Sequence, residues 1–512
     1  NQGGTYLIEA GTGTGKSLAY LLPAILHAVT RGEPVVISTN TIALQDQLFR
    51  KDLPDLRRAL KEMARTQPEL ERVASFEAAL LKGRSNYLCL RRWFLAQREP
   101  SVSPERATLY AKILTWLQQT ETGDRAELHL SPEEQVYWLA LAEEEGSCVP
   151  GRCIFHRRNQ CFLYRARHKA ESAHVIVVNH ALLLSDMLAA NNVLPPYRHL
   201  IIDEAHNLED EATTQLGFSI SRHRVLDFVS RCVTRDDDGA LGGALGGLWS
   251  VVANARVPLA REIAASLQPQ LDGLVRTARE VSDEIERFFH ALGDFVERYQ
   301  AGQSEHDRRL RLTDAVRHDP GWSTIEVSWD QVAGRLREIV AVLVWAAGEW
   351  EGISEEEIPE RDEVATELEV LIRTGHELIE RVLGAIANPS PDTIYWLTRN
   401  VANGDVAISA APLHVGDVLR EHLFDRCRTT VLTSATLTTD GSFDYVRQRL
   451  GIEEANELQV PSPFDYPATT LLYLADDVPE PGQPGHQRHV QEALIDLCKA
   501  TRGRAMVLFT SH

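Results

Sequence analysis

Ala10-Gly11-Thr12-Gly13-Thr14-Gly15-Lys16-Ser17 is a glycine-rich turn near the start of the chain. It follows an apolar, strand-like run over residues 5–10 and opens a helical pattern over residues 17–29. Glycines let a backbone approach a ligand closely, and the amides at the start of a helix favour negative charge. A strand, this turn, Gly-Lys-Ser and a helix together form the pattern of a phosphate-binding P-loop.

The residues of this loop have expected roles at a nucleotide. The backbone amides of a P-loop surround phosphate oxygens, its lysine reaches the outer phosphates and its serine ligates Mg²⁺. We therefore predict an ATP and Mg²⁺ site, with Lys16 at the outer phosphates and Ser17 on the metal ion. The predicted phosphate-binding residues are Gly11, Thr12, Gly13, Thr14, Gly15, Lys16 and Ser17.

A nucleotide site also needs an acidic residue at the end of an apolar strand, and residues 199–206, His-Leu-Ile-Ile-Asp-Glu-Ala-His, supply one. Asp203 would hold Mg²⁺ through its water shell, and Glu204 would polarise the attacking water. His206 would sense the γ-phosphate and couple it to the rest of the protein. The predicted catalytic residues are Lys16, Asp203, Glu204 and His206.

Short apolar runs alternate with helical patterns along much of the chain. This alternation predicts an α/β fold with a parallel sheet, whose functional loops lie at the C-terminal ends of its strands. Further runs at 470–474 and 505–509 predict the start of a second sheet. The runs assigned to the first sheet are residues 5–10, 34–38, 175–178, 199–202, 406–410 and 429–433.

The net charge of −20, from 53 Lys and Arg against 73 Asp and Glu, argues against a surface coated for nucleic acid. Residues 150–170 are the exception, with six cationic side chains and no acidic one. We predict that this basic run, including Arg157 and Arg158, contacts DNA; a solvated face is the alternative. No apolar run reaches the roughly 18 residues of a spanning helix, and no secretory leader is visible, so we expect a cytoplasmic protein.

The seven cysteines do not suggest a disulfide framework, because their number is odd and the chain is large. Three of them follow the spacing Cys148-x4-Cys153-x7-Cys161, and Cys89 lies upstream. This is metal-ligand spacing, and from the residues alone both a four-cysteine zinc site and an iron–sulfur cluster remain open.

In this order the motifs resemble those of the DinG and XPD branch of superfamily 2 DNA helicases, over essentially the whole chain. The resemblance implies a RecA-like, ATP-dependent DNA helicase that moves 5′ to 3′ on single-stranded DNA in repair or replication. It implies DNA contacts by Asn40, Thr41 and Gln45, and coupling by Ser434 and Thr436. Residues 9–17 resemble motif I, 38–48 motif Ia, 203–206 motif II, 433–437 motif III and 507–512 the start of motif IV.

The same resemblance implies a [4Fe–4S] cluster on Cys89, Cys148, Cys153 and Cys161, and a helical arch domain with an opening for one DNA strand. We expect a monomer acting on single-stranded, forked or R-loop DNA, and the sequence names no protein partner. The predicted domains are a first motor domain (1–74, 173–220 and 392–437), a cluster domain (75–172), an arch (221–391) and the start of a second motor domain (438–512).

Two departures from the family pattern bear on activity. Motifs V and VI, and the residues that contact adenine upstream of motif I, are not in this sequence, so we expect a fragment that is incomplete for catalysis. One alternative function is an ATP-binding, nucleic-acid-binding or remodelling subunit that does not unwind DNA. Another is a P-loop ATPase unrelated to helicases, with zinc on its four clustered cysteines.

Overall fold

The computed structural model describes residues 3–97, 103–142, 153–189, 193–235, 239, 241–255, 257–299, 308–353, 358, 361–400, 403–476 and 478–508. The chain divides into two compact units, Asn1–Pro461 and Ser462–His512. No helix of the described residues is both long enough and apolar enough to cross a membrane.

The described residues form thirteen strands. In chain order they are β1 Gly4–Ala10, β2 Val35–Thr39, β3 Ala78–Leu80, β4 Val175–Asn179, β5 His199–Asp203, β6 Phe218–Ser221, β7 Thr234–Arg235, β8 Leu241–Gly242, β9 Arg308–Arg311, β10 Thr393–Arg399, β11 Val406–Pro412, β12 Thr429–Ser434 and β13 Asn456–Val460.

The α-helices connect these strands, with short 3₁₀ and π turns between them. The first eleven are α1 Lys16–Arg31, α2 Ile42–Gln47, α3 Leu53–Ala64, α4 Glu71–Ala74, α5 Leu90–Ala96, α6 Pro104–Trp116, α7 Pro132–Leu141, α8 Ile154–Arg157, α9 Phe162–Glu171, α10 His180–Leu188 and α11 Leu208–Leu216. The others are α12 Arg222–Cys232, α13 Gly243–Asn254, α14 Pro258–Tyr299, α15 Asp314–Arg317, α16 Trp322–Glu351, α17 Arg361–Ile386, α18 Gly416–Leu419, α19 Asp444–Leu450, α20 Tyr466–Thr469 and α21 His486–Ala500.

A seven-stranded sheet with the order β13-β1-β12-β5-β2-β4-β3 organises the first unit, and all of its pairs are parallel. This confirms the predicted α/β class. The register pairs Glu9 with Ser434 and Thr433 with Asp203. The ends of β1, β12 and β5 therefore meet at one edge, where the P-loop and the acidic motif lie.

The inner strands β2, β4 and β5 of this parallel sheet are apolar on both faces because helices cover both. Successive residues of β2 and β4 alternate between two separate hydrophobic cores: Val36 and Ile176 lie in one, whereas Ile37 and Val177 lie in the other. Strands buried on both sides read as continuous apolar runs, which is why the sequence shows them clearly.

The predicted helical stretch packs around the long helices α14, α16 and α17. Its core also includes residues of β10 and β11, such as Leu397 and Ile408. These strands belong to a separate antiparallel sheet of order β6-β11-β10-β9. Assigning residues 406–410 to the parallel sheet was therefore wrong, and the helical part extends past the predicted boundary at residue 391.

The stretch predicted as a cluster domain, residues 75–172, is mostly helical, with α5 to α9 around a core that includes Trp93 and Trp138. At the other end of the first unit, β13 pairs with β1 in the parallel sheet. The first unit therefore continues past the predicted boundary at residue 438 and ends at Pro461.

The second unit contains α20 and α21, and its described residues include no strand. The runs 470–474 and 505–508, which were predicted as strands, have no ladder partner among the described residues, and Phe509 lies outside them. Their apolar side chains are exposed, with Leu471 at 93% and Met506 at 84%. An apolar run forms a strand only where a neighbouring strand pairs with it.

Candidate active site

The P-loop leads from the end of β1 into α1. Gly13 and Gly15 have φ angles of 84° and 78°, in the left-handed region that glycine adopts without steric cost. Gly15 is the residue just before α1, so the backbone turns there and the helix begins at Lys16. The amides of this turn and the N-terminus of a sixteen-residue helix form a site that could hold phosphate.

Asp203 lies at the end of β5 and is 8% exposed. The hydroxyl of Tyr20 on α1 donates to its Oδ2 at 3.0 Å. Burial raises the pKa of Asp203 above its usual value and the charge of Glu204 adds to the rise, while the Tyr20 hydrogen bond and the charge of Lys16 oppose it. This buried carboxylate faces the P-loop helix, so it could hold a metal ion beside bound phosphates.

Glu204 has a φ angle of 54°, which is unusual for a residue with a side chain. A left-handed conformation at such a residue costs roughly 1–2 kcal/mol. Its backbone amide donates to Oδ1 of Asp203 at 3.0 Å, and its Oε1 lies 3.8 Å from Nζ of Lys16. The turn thus brings the second carboxylate of the acidic motif next to the P-loop lysine.

His206 and Ser434 connect the acidic motif to the end of β12. Nδ1 of His206 lies 2.6 Å from Oγ of Ser434 and 3.4 Å from Oε2 of Glu204. The backbone amide of Thr436 donates to the same Ser434 oxygen at 3.3 Å. The structure therefore brings together four sequence-predicted residues, Glu204, His206, Ser434 and Thr436.

Glu9 was not among the predicted site residues. Its Oε2 accepts hydrogen bonds from the backbone amides of Leu437 and Thr438, both at 2.7 Å. Burial alone would raise the pKa of Glu9, but these hydrogen bonds hold it below its usual value. A charged residue inside an otherwise apolar strand was the available signal. Glu9 fixes the segment after Ser434 to the end of β1.

His180, at the start of α10, was also missed as a site residue. Its Nδ1 lies 2.7 Å from Oγ of Ser38, and the backbone of Asp203 and Glu204 contacts its ring. Burial lowers the pKa of His180 to about 4, so the imidazole is neutral at neutral pH. The position of a histidine directly after the apolar strand β4 was the signal in the sequence.

The residues of motif Ia lie in two different environments. Thr41 is exposed and caps α2, accepting a hydrogen bond from the Leu44 amide, and Asn40 next to it is partly exposed. Gln45 is fully buried, and its amide donates to the carbonyl oxygens of Leu81 and Val177 at 2.7 and 3.2 Å. The prediction that Gln45 contacts DNA is therefore wrong.

Three of the four clustered cysteines lie in described residues; Cys148 lies outside them. Cys153 and Cys161 each precede a short helix, α8 and α9. Burial raises the pKa of the Cys161 thiol, and interactions with Cys89 and Cys153 raise it further. Among described residues the three sulfurs are not all within 4.8 Å of one another.

A single zinc ion holds tetrahedral thiolates at about 2.3 Å from itself, and therefore about 3.8 Å apart. The described thiols are more widely spread than this. At least one pair of these sulfurs would have to approach before a zinc ion could bind, so the described thiols leave both kinds of metal site open.

The basic run beside these cysteines is only partly available to a ligand. Arg157 and Arg158 are exposed, while Arg152 lies outside the described residues. Phe162 is buried against Gly123 and cannot stack on a base.

A second basic surface lies between the elements around the parallel sheet and the helical part of the first unit. It is a cleft of about 1070 Å³ that includes residues of β6, α12 and α17. We refer to it as the arginine cleft, after five lining residues: Arg84, Arg224, Arg231, Arg373 and Arg381. Only two acidic residues, Asp227 and Glu377, line it. The sequence alone does not reveal this surface, because its arginines come from separate parts of the chain.

Comparison with known proteins adds independent findings. Residues 152–225 match the DEAD_2 family. The ATP-dependent helicase DinG of Mycobacterium tuberculosis (strain ATCC 25177 / H37Ra) is 31% identical over 532 residues, covering 99% of this chain and 68% of that protein. The ATP-dependent DNA helicase YoaA of Escherichia coli (strain K12) is 28% identical over 518 residues, covering 100% of this chain and 69% of that protein.

A further relative, named 3'-5' exonuclease DinG, from Bacillus subtilis (strain 168), is 28% identical over 517 residues, covering 99% of this chain and 52% of that protein. Among solved structures, "Truncated XPD" covers 90% of this chain and 95% of its own, with 12% identity and a TM-score of 0.36. A similarity of that size carries no weight for the fold, which the strand order of the parallel sheet establishes. The length and identity of the mycobacterial match show that this chain belongs to the DinG family of ATP-dependent DNA helicases.

Proposed function

We propose that the protein translocates 5′ to 3′ on single-stranded DNA and unwinds forked or R-loop DNA in repair or replication, acting as a monomer. The contacts of Glu204 are the main support for assigning an ATP-driven motor. On one side its carboxylate lies next to Lys16 of the P-loop. On the other side it contacts His206 and Ser434. Directionality and substrate rest on family membership.

Each nucleotide-site residue has a chemical role in this proposal. The amides of residues 11–15 and the Lys16 ammonium bind the phosphates, and Ser17 and Asp203 hold Mg²⁺. Glu204 orients and polarises the attacking water, which its position 3.8 Å from Lys16 supports. A bound Mg²⁺ would neutralise charge on the outer phosphates.

Ser434 would couple ATP hydrolysis to movement along DNA. Its hydroxyl contacts His206 on the acidic motif and the backbone of Thr436 beyond β12. Loss of the γ-phosphate would change the position of His206, and this hydrogen bond would carry the change to residues 436–438. Glu9 holds that segment by three donors, so it moves as one piece.

The DNA strand would run along the arginine cleft. Guanidinium groups bind phosphate oxygens in a fixed fork geometry, and a protein with charge −20 needs such a confined basic surface to bind DNA. Arg224 and Arg373 are exposed on α12 and α17, where a phosphate backbone could reach them. The Asn40–Thr41 corner and the exposed Arg157 and Arg158 would extend the path.

A [4Fe–4S] cluster on Cys89, Cys148, Cys153 and Cys161 completes the proposal. The influence of Cys89 and Cys153 on the pKa of the Cys161 thiol supports a shared metal site, and the choice of an iron–sulfur cluster over zinc rests on family membership. A bound cluster would cross-link the start of α5 to α8 and α9, which are otherwise joined by a small helical core. Its cysteines would thereby hold the basic run in place.

A strand-displacement assay on the native protein tests this function. With ATP, a duplex carrying a 5′ single-stranded tail should be unwound, and one carrying only a 3′ tail should not. Unwinding from 3′ tails alone would refute the polarity. ATP hydrolysis without displacement of either duplex would favour the alternative, a binding or remodelling subunit that does not unwind DNA.

The DNA path has its own test. Arg224→Ala with Arg373→Ala should weaken single-strand binding and reduce the slope of log affinity against log salt by about 1.4, because each lost phosphate contact removes about 0.7. The matched control is Arg276→Ala with Arg279→Ala, which removes two exposed arginines of α14 outside the cleft. Equal slopes for the two double variants would place the strand elsewhere.

A further inference from the structure

Three metal-binding side chains converge at the edge of the parallel sheet opposite the nucleotide site. Nε2 of His27 lies 3.1 Å from Nε2 of His199, and Oε2 of Glu33 lies 3.3 Å from the first nitrogen and 2.8 Å from the second. Among the residues that the structure describes, no other three ligand atoms of His, Cys, Asp or Glu come within 4.8 Å of one another.

The local sequence explains why these groups meet. His27 lies near the end of α1, and Gly32 ends that helix in the left-handed conformation, with φ at 71°. The chain therefore reverses, and Glu33 precedes β2. Because Val35 pairs with His199 in the parallel sheet, Glu33 is brought beside the first residue of β5.

Hydrogen bonding alone does not satisfy this arrangement. A neutral imidazole carries either a proton or a lone pair on Nε2. If both Nε2 atoms carry protons, both can donate to Glu33. The two N–H groups then repel each other, because their nitrogens are only 3.1 Å apart. If one nitrogen carries a lone pair, that lone pair faces the carboxylate oxygen. With Glu33 ionised, every protonation state of the two imidazoles leaves at least one of the three contacts repulsive.

We propose that His27, Glu33 and His199 bind a zinc ion. A cation between the three atoms accepts all three lone pairs at once and removes the conflict. Zinc bonds imidazole nitrogen and carboxylate oxygen at about 2.0–2.2 Å, and tetrahedral ligands then lie about 3.3–3.6 Å apart. The longest observed separation, 3.3 Å, lies in this range, and the other two, 3.1 and 2.8 Å, are shorter. Two imidazoles and one carboxylate are also a ligand set that suits zinc.

The fourth coordination position is open to a cavity of about 690 Å³, which all three ligands line. His199 is 9% exposed, while His27 and Glu33 are partly exposed, so an ion can enter from solvent. Arg31 and Arg428 line the same cavity, so water or a small anion suits the fourth position better than another cation.

Such an ion would link α1 and β5 at a point away from the nucleotide site. α1 begins with Lys16, and β5 ends with Asp203. The zinc ion would join the C-terminal half of α1 to the first residue of β5. It would thereby hold the P-loop helix against the acidic strand without touching the nucleotide.

Zinc titration of the native protein, purified anaerobically and dialysed against a chelator, tests the site. Calorimetry with zinc chloride should find one equivalent more for the parent than for His27→Gln with His199→Gln. The same zinc should raise the thermal midpoint of the parent and leave that of the double variant unchanged. Zinc taken up by the cysteines does not affect this difference, since both proteins contain them.

Two further variants complete the experiment. Glu33→Gln, at a partly exposed side chain, should keep the fold and weaken zinc binding by roughly tenfold or more. His422→Gln is the matched control, because it removes an exposed histidine that lies 4.0 Å from a single glutamate. Equal zinc binding by parent, Glu33→Gln and the double variant, or no uptake by the parent, overturns the proposal.

Discussion

Nζ of Lys82 lies 2.7 Å from Oδ2 of Asp124, and the lysine side chain is 1% exposed. The same ammonium lies 3.1 Å from Oδ1 of Asp46, which follows Gln45 on α2. One buried cation thus joins motif Ia of the motor to the cysteine-bearing stretch. This ion pair is one of the contacts that hold the cysteine-bearing stretch against α2.

Lys82→Met should therefore destabilise the protein strongly. Breaking a buried ion pair leaves uncompensated carboxylates and costs about 3–5 kcal/mol. Thermal unfolding and limited proteolysis of residues 75–172 would report the loss, with Lys61→Met, at an exposed lysine of α3, as the control. Adding Asp124→Asn to Lys82→Met should restore part of the stability, because it removes one of the unpaired carboxylates. If Lys82→Met and Lys61→Met have the same thermal midpoint, the buried ion pair does not stabilise the protein.

Tyr20→Phe tests the hydrogen bond to Asp203. A hydrogen bond to a charged group is worth about 1.5–3 kcal/mol, so the Mg²⁺ concentration for half-maximal ATP hydrolysis should rise by roughly tenfold or more. Tyr6→Phe is the control, because it removes a hydroxyl that donates to Gly3 instead. An unchanged Mg²⁺ requirement in Tyr20→Phe would show that Asp203 does not need this donor.

The same variant should change the pH profile of hydrolysis. Asp203 must be ionised to hold Mg²⁺, and the Tyr20 hydrogen bond lowers its pKa against the rise that burial causes. Without the hydroxyl the pKa rises further, so activity should be lost at a higher pH as the solution is acidified. If Tyr20→Phe loses activity at the same acidic pH as the parent, the Tyr20 hydrogen bond does not affect the pKa of Asp203.

His180 should make stability depend on pH. Burial lowers its folded pKa to about 4, below the model-peptide value of about 6.5, so between these values only the unfolded chain takes up the proton. Stability should then fall as pH drops from about 6.5 to about 4, by up to about 3 kcal/mol. Thermal midpoints of His180→Gln should fall less steeply with acid than those of the parent or of His223→Gln, an exposed histidine.

The proposed [4Fe–4S] cluster predicts a specific iron and sulfide content. Protein purified anaerobically should contain about four iron atoms per chain with acid-labile sulfide, and Cys153→Ser should lose both. Residues 75–172 should then become more sensitive to protease, because metal binding contributes directly to folding in small domains. Zinc bound to the cysteines without sulfide would replace this account with the four-cysteine zinc site.

The nucleotide site was predictable because its residues stand next to continuous apolar strands. Lys16 comes after β1 and Asp203 ends β5, and parallel strands place their C-terminal ends on one edge. Gln45 shows the limit of such reasoning. Its amide bonds to the carbonyls of Leu81 and Val177, which are remote in sequence, so nothing nearby distinguishes it from an exposed polar residue.

The strands show the same limit. Residues 406–410 read as apolar as the runs of the parallel sheet, but β11 pairs antiparallel with β6 and β10. Partner choice is a tertiary property that local composition does not encode. The Tyr20 contact with Asp203, the arginine cleft and the His27–Glu33–His199 group also depend on distant residues, and the sequence alone did not reveal them.

Steady-state ATP turnover of Glu204→Gln, in the native protein with single-stranded DNA, tests the central claim most directly. The substitution keeps the shape of the side chain and removes the carboxylate that would polarise water next to Lys16. We expect turnover to fall by roughly 10³-fold while nucleotide binding stays within about twofold of the parent. Lys16→Ala should instead weaken binding itself. Hydrolysis by Glu204→Gln at the parental rate would contradict the assignment of this site.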